Sequence, residues 1–238
     1  MNTLLLALAL QAGDPAKALD AFKTAYKSKD VTERAAAVAE LGKTEHEKVS
    51  AKLAQLLVVD GKEVRIAAAK ALGALTQTDL RKKAVTQLSK TIPANAAEVD
   101  VIVAIVEALE SIGPGVGLAV LHQHFVWPQI PAAEGAILAA GKLKRKESVG
   151  PLITLLRILQ LSSREAQNIG PGGRTVTGGG LPGVGSGGAV DPDAPKRERA
   201  LTPVAQRSLE AITRQTHKTW KEWEAWWKEK GPDFEVPK

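Results

Sequence analysis

The chain contains no cysteine. That excludes disulfides, thiol nucleophiles and cysteine-ligated metal sites, and by itself it identifies no compartment. Aromatic residues make up only 4% of the sequence, and four of the five tryptophans fall between Trp220 and Trp227. The main core must therefore be built from Ala, Val, Leu and Ile, which suits thin helix-on-helix layers. Only four histidines are present, so metal or imidazole chemistry has few starting points. No apolar run reaches the roughly 20 residues that a membrane-spanning helix requires. Neither sign of charge dominates: Lys and Arg number 32, Asp and Glu 26, a net charge of +6. A mildly basic balance permits weak attraction to anionic surfaces but is no nucleic-acid signature. What the chain does have is 238 residues, 44% of them hydrophobic. That is enough for a sizeable core or one elongated repeat array, and too apolar for a disordered chain.

The organising stretch is Lys62 to Leu75, KEVRIAAAKALGAL. Val64, Ala67, Ala68, Ala71, Leu72 and Leu75 recur at helical spacing and form one apolar stripe. Because most of the stripe is alanine, a neighbouring helix can approach closely. Lys62, Glu63, Arg65 and Lys70 stay off it.

Upstream, residues 1–12 read MNTLLLALALQA. The short apolar run from Leu4 to Leu10 and the small residues after it fit a secretory signal peptide cleaved after Ala9 or Ala12. No Lys or Arg precedes the run, and the alternative is an N-terminal helix capping the first repeat. Asp14-Pro15 reads as a helix start, with Asp as N-cap and Pro in the first turn. Asp30-x-x-Glu33 and Thr44-x-x-Glu47 read as capping boxes. Gly42 reads as a helix stop, and Asp60-Gly61 as a turn.

A repeat then emerges. Arg34, Ala36, Ala37, Leu41 and Gly42 match Arg65, Ala67, Ala68, Leu72 and Gly73 at a shift of 31. Ala108-Leu109 match Ala71-Leu72 at a shift of 37, and Ala139, Ala140 and Leu143 match Ala108, Leu109 and Ile112 at 31 again. Second helices are expected at 78–91, 115–126 and 147–161. Hairpins of this period cannot bury their apolar faces alone and must stack. The pattern Val64-Arg65-x-Ala67-Ala68-x-x-Ala71-Leu72 resembles the HEAT-repeat family in its short bacterial form, over about residues 30–161. The third repeat departs from it, with Ile102 in place of the arginine, and the fourth keeps mainly the small-residue spacing. The resemblance implies an all-α solenoid of antiparallel helix pairs and a binding surface. It implies no reaction.

The third first-helix is apolar almost all round, from Val99 to Leu109, as expected for a helix covered on both sides. From 167 to 197 the composition changes. Ten glycines lie between Gly170 and Gly188, and such a segment cannot offset its ordering entropy by burial. The expected organisation is thus a signal peptide at 1–12, a repeat array at 13–166, and a glycine-rich disordered insertion at 167–197. A final repeat helix and a tryptophan-rich capping helix follow at 198–231, with a tail at 232–238.

Chemistry-bearing motifs fare poorly. Gly183-x-Gly185-x-x-Gly188 has the letters of a dinucleotide loop, but it lies inside the glycine-rich segment without the required strand and helix. Gly42-Lys43-Thr44 lacks the earlier glycine of a phosphate loop. His122 and His124 point about 200° apart on a helix and have no third ligand. The basic groups around Arg81–Lys83, Lys142–Lys146 and Lys196–Arg199 read as solvated charge near helix ends. Trp220, Trp223, Trp226 and Trp227 span about a 120° arc of one helix. They are either an aromatic platform or, preferably, an apolar anchor on the last repeat.

The expectation is a non-catalytic scaffold with no cofactor or metal, binding an unidentified protein partner. It is exported to a periplasmic or extracellular location if residues 1–12 are cleaved, and cytoplasmic otherwise. Family geometry and helical phase put the binding surface on the exposed side of the second helices, at Gln55, Lys82, Lys83, Thr86 and His122. The alternatives are an enzyme or enzyme partner resembling the bilin lyases with HEAT-like repeats, and a weak nucleic-acid binder.

Overall fold

A computed structural model describes residues 14–167 and 191–237. The expected signal peptide and residues 168–190 of the glycine-rich insertion lie outside the described residues, while 167 and 194–197, also assigned to the insertion, are helical, so the final repeat helix starts at Ala194 and not at 198. Among the described residues the structure is helical, with no strand. Eleven α-helices run α1 (Pro15–Ala25), α2 (Val31–Leu41), α3 (Glu47–Leu56), α4 (Lys62–Gly73), α5 (Thr78–Thr91), α6 (Val99–Ile112), α7 (Val116–Gln123), α8 (Ile130–Leu143), α9 (Val149–Gln167), α10 (Ala194–Thr213) and α11 (Trp220–Lys230). Short 3-10 turns lie at 93–95, 124–126 and 146–148. Two compact units divide between Val120 and Leu121, inside α7.

In the first unit, α4 packs on α2 and on α6, while α3 packs on α5. Val38, Leu41, Val64, Ala68, Leu72, Ile105 and Leu109 are buried, the apolar sets that the helical spacing supplies. The glycines explain how closely the helices approach. Gly42 closes α2 with φ −61°, an ordinary helical value, so no left-handed cap requires it. Its role is contact, because a Cβ there would lie 2.5 Å from Ala71 Cβ. Gly73 meets α6 in the same way, where a Cβ would lie 2.7 Å from Ala108 Cα. Gly42 thus ends α2 where the sequence places the stop, and it is a helix-crossing residue as well.

Arginine and aspartate link α2 and α4 to the turn between α3 and α4. Asp60 adopts the left-handed conformation, φ +70°, and receives both Nε and Nη2 of Arg34 at 2.6 Å, the Tyr26 hydroxyl at 2.8 Å and its neighbour Gly61 N–H at 2.6 Å. Arg65, 31 residues after Arg34, donates to the Asp60 carbonyl and to Asn95 Oδ1, and Asn95 in turn donates to the Leu57 and Thr91 carbonyls. The Arg34 fork holds the Asp60 carboxyl well below the usual carboxylate range, more than offsetting the cost of its burial. Burial and the bond to Asp60 push the Tyr26 hydroxyl up to about 12.

Two expected capping boxes do not form. Asp30 caps α2 through Thr32 N–H, but the Glu33 carboxylate accepts from Ser28 Oγ instead of from the Asp30 backbone. α3 starts two residues later than Thr44-x-x-Glu47 predicts. His46 is its N-cap, and Glu47, now at the first helical position, reaches Lys83. The box that does form is Thr219 with Glu222, at the start of α11.

In the second unit, α10 packs against α8 and α9, and α11 against α9. Gly141 of α8 repeats the close crossing, with Ser208 Oγ 2.8 Å from the position of a Cβ. Among the described residues, no helix is long and apolar enough to cross a membrane.

Candidate functional site

Two grooves open on the first unit. One lies between α3 and α5, about 290 Å³, lined by Glu47, Ser50, Ala51, Ala54, Leu80, Lys83, Thr86 and Gln87. Helical spacing builds it: Glu47, Ala51 and Ala54 recur along α3, as Leu80, Lys83 and Gln87 do along α5. The small residues of α3 leave the space, and Lys83 bridges it to Glu47 at 2.5 Å. That bond and the lysine charge hold the Glu47 carboxyl below its ordinary value. The mouth is thus a neutralised ion pair flanked by the exposed Thr86 hydroxyl and Gln87 amide.

Of the residues expected on the second-helix surface, Lys83 and Thr86 line this groove. Gln55 and Lys82 are exposed on the same two helices without lining it. His122 lies in the second unit, half-buried, with Nε2 2.9 Å from Ser148 Oγ. Burial lowers its pKa against the opposing pull of Glu147, so the ring is neutral at neutral pH. A serine beside a neutral imidazole has the outline of a nucleophile and base. Ser148, however, is fully buried, out of a substrate's reach, and among the described residues no carboxylate is hydrogen-bonded to the ring. His124 is buried and stacks on Trp127 at 4.7 Å. Among the described residues no group of three His, Asp or Glu side chains could hold a metal ion.

The second groove, about 640 Å³, was not legible as a surface from sequence. It lies between α2 and α4, with Ala39, Gly42, Ile66, Ala67, Ala71 and Ala74 forming its apolar wall and Lys43, Glu45, Glu63 and Lys70 its charges. The signal was present: Glu63, Ile66, Ala67, Lys70 and Ala74 recur at helical spacing as a second stripe on α4. Ala67, assigned by periodicity to the core, is half-exposed on this wall. Glu45 accepts from Thr76 N–H, Thr76 Oγ1 and Gln77 N–H. Although burial works the other way, these bonds keep its carboxyl below the usual value.

Trp223 is fully buried at the centre of its arc, on the helix that packs against α9 rather than against the immediately preceding α10. Its ring meets His217 edge-on at 4.7 Å and Trp226 at 5.8 Å. Trp226 and Trp227 are half-buried, and Phe234 lies across both at 5.5 and 5.8 Å. Trp220 stands at the other edge of the arc, half-buried, with Lys221 Nζ 5.8 Å from its ring centre.

Several basic side chains are held by backbone carbonyls: Arg81 donates to Ile112, Lys146 to Pro232 and Arg197 to Pro128, which fixes their positions and leaves their charge in place. No protein-family model matches the chain, and no curated protein matches it.

Proposed function

We propose that the chain is a HEAT-like α-solenoid of antiparallel helix pairs, acting as a scaffold that binds a protein partner through the α3/α5 face. The solenoid reading is supported by recurrence. α2, α4 and α6 pack in succession, Gly42 and Gly73 make the same crossing 31 residues apart, and Arg34 and Arg65 reach forward into the next turn. Stacked units of this kind form extended binding surfaces. The observation that carries the functional reading is the groove itself, where Lys83, Thr86 and Gln87 surround an apolar floor of Ala51, Ala54 and Leu80. A few polar groups over small apolar side chains suit a partner side chain inserted between two helices. In this reading α11 and its buried Trp223 cap the array rather than offer a platform.

The test compares partners captured by the parent, by Lys83→Glu and by Ala54→Arg, which fills the floor. The expected outcome is a specific set of proteins lost from both variants while helicity is unchanged. Retention of that set by both variants, together with turnover in an activity assay, overturns the scaffold reading.

A further inference from the structure

The α2/α4 groove points to a different occupant. From the chemistry of its wall we infer that it is a self-association surface, in which α4 of one chain lies antiparallel on α4 of a second copy.

The inference starts with charge. The groove carries four charged side chains, and two are committed within the chain. Lys43 pairs with Glu40 at 2.5 Å, and Glu45 holds the Thr76–Gln77 turn. Glu63 and Lys70 are exposed and make no ion pair or side-chain hydrogen bond within the described residues. They lie seven residues apart, two turns along the same face, a separation of about 10.5 Å along the helix. Midway between them sit Ile66 and Ala67, both half-exposed on the groove wall.

That order is self-complementary. If two copies of α4 cross about a two-fold axis through Ile66 and Ala67, Glu63 of each chain faces Lys70 of the other. One rotation satisfies both pairs, as a symmetric interface requires. A parallel arrangement sets Glu63 against Glu63 and Lys70 against Lys70, and repels. The wall also suits close approach, because Ala39, Gly42, Ala67, Ala71 and Ala74 leave room for Ile66 of the second copy to enter. An unrelated partner helix would need both charges in the same register; the chain's own α4 has them already.

The test is sedimentation over a wide concentration range, with the full chain and two single charge reversals, Glu63→Lys and Lys70→Glu, then the double reversal. Both sites are exposed on α4, and circular dichroism verifies that each variant keeps its helicity. The parent should approach twice its monomer mass as concentration rises. Each single reversal changes both symmetry-related pairs to like charges and should weaken association by about tenfold or more. The double reversal should restore it, and added salt should weaken parent and double variant alike. A parent that stays monomeric throughout, or a folded double variant that associates no better than the singles, overturns the proposal. Because the α3/α5 face is untouched, loss of association with partner capture intact leaves the scaffold reading standing.

Discussion

Replacing Gly73 by alanine tests whether helix spacing is set by the glycines. A Cβ at Gly73 would lie 2.7 Å from Ala108 Cα, 2.8 Å from Ala108 Cβ and 3.1 Å from Ala108 O. Optimal carbon–carbon separation is about 3.5–4.0 Å, so α4 and α6 must part by about 1 Å. Two of the three obstructing atoms are backbone, and no rotamer change can clear them. Inserting a methyl into a packed interface typically costs about 1–3 kcal/mol. Against that, Gly to Ala recovers up to about 1 kcal/mol of helix propensity, and less here because Gly73 is the last residue of α4. The net expectation is a loss of roughly 1–2 kcal/mol. For a chain of this length that is about 2–8 °C in melting temperature.

Gly150 supplies the control. It lies in the first turn of α9, and a Cβ there meets only Trp227 Nε1 at 3.7 Å, an ordinary contact. Gly150→Ala should therefore leave stability unchanged or raise it by a few tenths of a kcal/mol. Differential scanning calorimetry of the two variants reads the contrast directly. If Gly73→Ala melts at or above the parent, the α4/α6 crossing is not limited by this contact and the account of the glycines fails.

Trp223→Ala removes a fully buried indole and should cost about 3–5 kcal/mol in urea unfolding, whereas Trp220→Ala, at the edge of the arc, should cost clearly less. Equal losses would mean that the arc is not anchored at its centre. Asp60, whose folded pKa is depressed, contributes stability that is whole above its unfolded value of about 4 and is lost as the pH falls towards the folded value. The gap between parent and Asp60→Asn in urea midpoint should therefore narrow between pH 7 and pH 3; a constant gap would remove the ion pair as its cause. Tyr26 runs the opposite way. Its raised pKa of about 12 gives a contribution present below about pH 10 and lost from there upward, so ultraviolet titration should show phenolate appearing late in the folded protein and earlier in Asp60→Asn.

How much of this was legible in the sequence depends on the kind of signal. Helix existence was, because alanine and leucine recur at helical spacing from Val31 to Leu156 with few competing patterns. Asp14 and Asp30 caps were also legible, since a short side chain can bond only its own helix start. Glu47 was misassigned because a capping box is a local pattern. The structure gives that carboxylate a partner 36 residues away in Lys83, which no local rule contains. Gly42 ends α2 where the sequence puts the stop, but its close contact was not legible for the same reason: its neighbour Ala71 lies on α4. The α3/α5 groove was partly legible from helical phase, through Lys83 and Thr86, whereas phase alone does not reveal the bond between His122 and Ser148. The α2/α4 groove was missed because alanine reads as core whether it is buried or merely small.

Polar and apolar linkage divide the first unit between them. Arg34 ties α2 to the turn at Asp60, and Arg65 ties α4 to that turn and onward to Asn95. The next residue in the series is Ile102, fully buried, on a helix whose Val101, Ile105, Val106 and Leu109 are buried with it. An arginine there would face desolvation without the partner that Asp60 or Asn95 provides to the earlier two. The polar series therefore runs as far as Asn95 and stops where the helix is apolar almost all round. Apolar burial is non-directional and tolerates slight sliding, whereas the Arg34 fork fixes distance and orientation together. Register among α2, α4 and the turn at Asp60 is thus specified by hydrogen bonds. At α6 the Gly73–Ala108 crossing contributes to it, as does Arg81, which reaches the Ile112 carbonyl at the far end of the helix.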